Sequence, residues 1–239
     1  MLEKTQYSQG KKRFKNNTFS SQEWSAPTMV SPNEIESLIA SMQLVGRTIK
    51  GLRIIGLSYF HTKDWIEEHA YNSLPEDMPE EKKQEYSNFD RISESLEFIR
   101  YVHIDEPFLI KFTDENTFEI DTPQAPGYRI SMNCLPWDIQ GSTNNIDVSI
   151  LFAPVLNQKI IEVEITKKSI NTAPMFFCPF DENNSTREIV KRIVLWLENG
   201  IGICINGWID YCEVACIDRN KQVLPILFSE LKKAFQNLI

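Results

Sequence analysis

His61, Asp64, Glu68 and His69 form the one close group in this sequence whose side chains are all metal-ligating types. On a helix over 62–73, Asp64 and Glu68 stand four apart and face one way. His61, three before Asp64, lies on the same side. His69 is turned about 100° from Glu68 and leaves the facet incomplete. There is no H-E-x-x-H, so the group reads as the solvated face of an acidic helix, and neither a metal nor a cofactor is expected. If the chain does catalyse a reaction, His61, Asp64, Glu68 and His103 are the residues to carry it.

Other patterns offer less. Asp147 with Glu162 and Glu164 has the acids of a metal-dependent nuclease. The lysine such sites place two residues after the second acid is replaced by Thr166. Glu162 and Glu164 instead read as the outward half of an amphipathic strand. Cys134 stands in the mixed stretch Ser131–Trp137, and His103 is the one histidine in the expected sheet, but a buried, inert thiol is the simpler reading. Cys212 and Cys216 share a strand face and Cys204 points to the opposite one, which disfavours a disulfide. Gly200-Ile201-Gly202 follows an expected helix, the reverse of the order in a dinucleotide-binding fingerprint. The aromatic and acidic residues near loop ends, Trp137 with Asp138 and Trp208 with Asp210 and Tyr211, are the types that supply area and steering in protein-binding surfaces.

The elements that would position these groups follow from periodicity. Ser31-Pro32-Asn33-Glu34 opens a helix with proline at its first position. Ile35, Leu38, Ile39 and Met42 line its core face, and Gly46 ends it. A strand is expected over 47–60 and another over 95–104. Phe108, Ile110 and Phe112 oppose Phe118 and Ile120 in a hairpin around Asp114-Glu115-Asn116, with Lys111, Glu119 and Asp121 pointing the other way. Strands are expected at 127–133, 146–152 and 159–168. Ser185-Thr186-Arg187-Glu188 resembles a second capping box. It predicts a helix with Ile189, Ile193, Trp196 and Leu197 as its stripe and Asn199-Gly200 as its stop. Asn206-Gly207 predicts a tight turn between two strands within 201–217. Pro225 begins a last amphipathic helix. The sum is an α+β fold: a mainly antiparallel sheet of about eight strands with about three helices packed on one face.

Charge divides the chain. Residues 1–31 form a basic, polar N-terminal tail of net charge +3, and the remainder carries −11 of the overall −8. Residues 32–239 read as a single α+β domain, interrupted at 61–94 by an acidic excursion. Such a body repels phosphate backbones, so nucleic acid is not expected as a partner. No apolar run reaches the roughly 20 residues of a membrane span, and no signal-peptide core is seen at the N-terminus. Five cysteines without a C-x-x-C fit a reducing, cytoplasmic setting.

These observations point to a non-enzymatic interaction module whose acidic surface meets a basic protein partner, as immunity or inhibitor proteins do. The alternative is a small-molecule hydrolase, or another enzyme, with a site near 61–94. Residues 32–45 and the C-terminal helix are the candidate surfaces for a homodimer.

Overall fold

The computed structural model describes residues 24, 26–55, 79, 98–99, 102–104, 107–122, 127–137, 145–171, 186–207 and 212–227. Along the chain come β1 (Thr28–Met29), helix α1 (Pro32–Ser41), β2 (Ile49–Ile55), β3 (Phe98–Ile99), β4 (Val102–Ile104), β5 (Phe108–Phe112), β6 (Thr117–Asp121), β7 (Tyr128–Met132) and β8 (Asn145–Asp147). After a 3-10 segment at Ser149–Val155 follow β9 (Ile160–Asn171), β10 (Thr186–Leu197), β11 (Gly202–Gly207), β12 (Cys212–Ile217), β13 (Val223–Leu224) and β14 (Ile226–Leu227).

Two antiparallel sheets dominate. One has the order β1-β7-β6-β5-β2-β8. The other runs β13-β12-β11-β10-β9, with β4 also on β12, and β14 pairs with β3 separately. The expected α+β layout is therefore overturned. The inner face of the first sheet is covered by the second sheet rather than by a layer of helices. Phe108, Ile110, Phe112, Phe118 and Ile120 meet Ile193, Leu195, Leu197, Ile203 and Val214 in one continuous apolar cluster. At roughly 25 cal/mol per Å² of apolar area, such facing sheets bury enough to hold together without a helical layer. Helix α1 contributes one narrow stripe, Ile35 and Ile39 with Leu38 packed beside them and Met42 at its C-cap, as its spacing implied. It begins at Pro32 as expected, but Ser31 caps it through its backbone carbonyl, which accepts the Ile35 amide at 3.1 Å, and not through its hydroxyl.

The element expected as a helix over 186–199 is strand β10. Val190 faces the core, and so do Ile193, Leu195 and Leu197. Lys191 is an extra residue there, because Val190 pairs with Lys167 while Arg192 pairs with Thr166. That bulge converts a two-residue period into a three-residue step, which imitates helical spacing. Val194 and Trp196 are also buried on the outer face, which hides the alternation further. The turn assignments exchange places as well. Asn199-Gly200 makes the bend between β10 and β11, with Gly200 at φ 83°, a conformation open to glycine. Asn206 and Gly207 lie within β11, paired with Glu213 and Cys212.

The strand expected over 146–152 stops at Asp147. The Asp147 Oδ1 accepts the Ser149 amide at 2.9 Å, and the Ser149 hydroxyl bonds both backbone groups of Leu52, which diverts the chain into the 3-10 segment. Pro225 precedes strand β14 instead of opening a helix, and residues 228–239 lie outside the described residues. No helix among the described residues is long and apolar enough to cross a membrane.

Candidate functional site

Few of the residues singled out by chemistry fall in the described chain. His61, Asp64, Glu68, His69, Asp138, Trp208, Asp210 and Tyr211 lie outside the described residues. His103 sits on β4 opposite Glu213 of β12, in the second sheet. Cys134 follows β7 in the first sheet, so the two are not placed on a common sheet. Among the described residues no three His, Cys, Asp or Glu side chains gather as a metal site.

Trp137 is the one proposed binding residue whose side chain is described, and it lies half-buried on the outer face of the first sheet. The Arg53 guanidinium carbon lies 4.8 Å from its ring centre and the Lys111 ammonium 5.7 Å. Cations at that distance are held by the ring's negative face. Arg53 also donates to the Trp137 carbonyl at 3.0 Å. The ring rests on Gly51, where a Cβ would stand 3.3 Å from both Trp137 Cζ2 and the Ser149 hydroxyl. Trp137, Lys50, Gly51, Lys111, Glu115, Asp147 and Ser149 line an open cleft of about 300 Å³. Glu115 pairs with Lys50 and, at 3.0 Å, with Lys111. Both contacts hold its carboxyl below the usual range, with Lys50 the larger cause.

The first sheet's outer face carries a second feature that sequence reasoning missed. Glu119 points away from the core as expected, yet it is 0% exposed. Ser131 Oγ donates to Glu119 Oε2, and the Leu135 amide donates to Oε1 at 2.7 Å. Trp24 Nε1 in turn donates to Ser131 Oγ at 2.9 Å. Trp24, Leu135, Ile55 and Leu109 close an apolar lid over this carboxyl. Burial raises its pKa to about 7, against the lowering effect of Ser131 and the backbone donors. Thr117, Asp121, Thr122 and Ser131 are buried with it. The available signal was the facing pair of polar alternations, Thr117-x-Glu119-x-Asp121 and Arg129-x-Ser131, between two tryptophans.

Neither feature makes a nucleophile. Glu119 is sealed from solvent and fully engaged by Ser131 and Leu135. The Cys134 thiol beside it is pushed up by burial and then by the Glu119 charge, away from the reactive thiolate. Cys212 and Cys216 face the core together, as their four-residue spacing implied, while Cys204, paired with Ala215, faces out with Val194 and Trp196. Cys134, Cys204, Cys212 and Cys216 are all free thiols.

Charge is distributed very unevenly between body and excursion. The described residues hold thirteen acidic and thirteen basic side chains. The stretch 61–94 alone holds ten acidic and four basic ones, or −6 of the chain's −8.

The chain matches no family model, no curated protein and no solved structure.

Proposed function

We propose that this chain is a non-enzymatic protein-interaction module of the cytosol that offers its acidic 61–94 segment to a basic protein partner, as immunity and inhibitor proteins do. One observation carries the reading: the described residues of the two-sheet body are neutral in sum, while the stretch 61–94 between β2 and β3 carries −6 of the molecule's net −8. Charge concentrated in that way steers a partner of opposite sign and sets the register of docking. Trp137 and its bound cations lie on the sheet that carries β2, where a rigid aromatic supplies contact area at low entropic cost. The sealed Glu119 and the unactivated Cys134 agree with a binding role, and the four free thiols agree with a reducing compartment.

The test is affinity capture at low and at high salt, with the native chain and with a variant in which Glu76, Asp77, Glu80, Glu81 and Glu85 are replaced by their amides. The expected result is a basic partner held by the native chain at low salt, released at high salt and lost with the variant. A partner retained equally by the variant would sink the reading.

A further inference from the structure

Strand β9 ends the second sheet, and its outward edge meets the described chain only at its start. There Thr48 bridges Lys159, the Gly46 amide donates to the Ile160 carbonyl at 2.8 Å, and the Ile160 amide donates to the Arg47 carbonyl at 2.8 Å. From Glu162 to Ile170, no described element pairs with that edge. Unpaired edges are templates for another strand, and proteins commonly blunt them with bulges or lysines. The bulge on β9 is Ile161, opposite the step from Trp196 to Leu197, and it leaves the residues after it in regular alternation. Instead of being hidden, Ile161 is 45% exposed, next to Val45 at 57%.

The charges along this edge are sorted. Glu162 and Glu164 occupy the outer face of the first half, where they pair within the chain with Arg219 and Lys221. Lys168 occupies the same face of the second half, exposed and with no ion-pair partner among the described residues, so that its charge is left for Glu162 of a second copy. A strand that is acidic at one end and basic at the other is complementary to itself when turned antiparallel. A two-fold axis near Ile165 sets Glu162 of each copy opposite Lys168 of the other. The same axis sets Glu164 opposite Thr166. Opposite charges placed across an antiparallel pair attract, and like charges repel.

We propose that the chain forms a two-fold dimer by antiparallel pairing of β9 with β9 of a second copy, joining the second sheets of the two molecules into one.

The test is the oligomeric state of the full chain by sedimentation velocity over a range of concentrations. The native chain should dimerise. Lys168→Glu and Glu162→Lys should each raise the dissociation constant about tenfold or more, because each reversal creates two like-charge contacts. Mixing the two single variants should restore a dimer containing one of each. In that dimer the two substituted side chains, one from each copy, face each other with opposite charges, and so do the unaltered Glu162 of one copy and the unaltered Lys168 of the other. Circular dichroism of each variant shows that both still fold. A native chain that stays monomeric, a dimer indifferent to both reversals, or a mixture that does not reassociate overturns the proposal.

Discussion

The Tyr128 hydroxyl receives the Gly207 amide at 2.9 Å and donates to the Lys191 carbonyl at 3.2 Å, so one phenol of the first sheet bonds two strands of the second. Gly207 owes its place to this contact. A Cβ there would stand 2.5 Å from the phenol oxygen and 2.7 Å from Cζ. Gly207→Ala should therefore force the ring or the strand aside and destabilise the fold by about 1–3 kcal/mol. Tyr128→Phe should cost about as much, because it leaves the Gly207 amide without its acceptor. Urea unfolding of both variants checks this, and a double variant no less stable than the weaker single one would show that the two act through the same contact.

How far the fold was legible depends on whether a residue's neighbours obeyed one rule. The hairpin of β5 and β6 was readable because Phe108 and Ile110 fall opposite Ile120 and Phe118 without interruption. Helix α1 was readable because Pro32 marks its first residue. Strand β10 was not, because one bulge at Lys191 and two apolar outer residues erase its alternation. The two Asn-Gly pairs have the same local chemistry. Only the position of Tyr128, far away in sequence, decides that Gly207 is a close-contact glycine while Gly200 is the turn. Trp137 drew notice in the sequence through its loop context, whereas Glu119 looked like an ordinary solvent-facing acid. Its burial depends on Trp24, nearly a hundred positions earlier, closing over it.

Glu119 gives the fold a pH dependence of definite sign. Its carboxyl titrates near 4.5 when unfolded and at about 7 when folded, because burial opposes its charge. The native state then holds the proton more tightly than the unfolded one. Its contribution is fully present below about pH 4.5, declines as the pH rises through 7, and is constant above that. The span corresponds to roughly 3 kcal/mol. Glu119→Gln should remove this slope between about pH 5 and 7.5. Chemical denaturation across that range checks it, and an unchanged slope in the variant would assign the effect to another group.

The thiols should separate by reactivity. Burial raises Cys204 to about 11 and Cys216 to about 12, and Cys212 is enclosed in the core. Cys134 is half-exposed but also raised. At pH 8 a soluble alkylating reagent should modify Cys134 slowly and leave Cys204, Cys212 and Cys216 untouched until the chain is denatured. Peptide mapping by mass spectrometry assigns each site. Rapid labelling of Cys216 in the native state would contradict the two-sheet core.

On the outer face of the second sheet, Trp196 is 1% exposed although no third layer of strands or helices among the described residues covers it. Arg219 lies over its ring at 4.3 Å and pairs with Glu162 at 2.9 Å, while Glu164 accepts the indole N–H at 2.9 Å and pairs with Lys221. Below the ring is Gly202, directly across the β10–β11 pair, where a Cβ would come within 2.8 Å of Trp196 and 2.7 Å of Val194. The glycine side is backbone and cannot yield, whereas the arginine side is flexible and solvated. Gly202→Ala should therefore cost about 1–3 kcal/mol by overpacking. Arg219→Ala should cost under about 1 kcal/mol, because a surface cation–π contact and an exposed ion pair are each weak. Thermal or urea unfolding of the two variants gives the order. An Arg219→Ala loss larger than that of Gly202→Ala would mean that the cation, and not the close backbone approach, holds the tryptophan flat against the sheet.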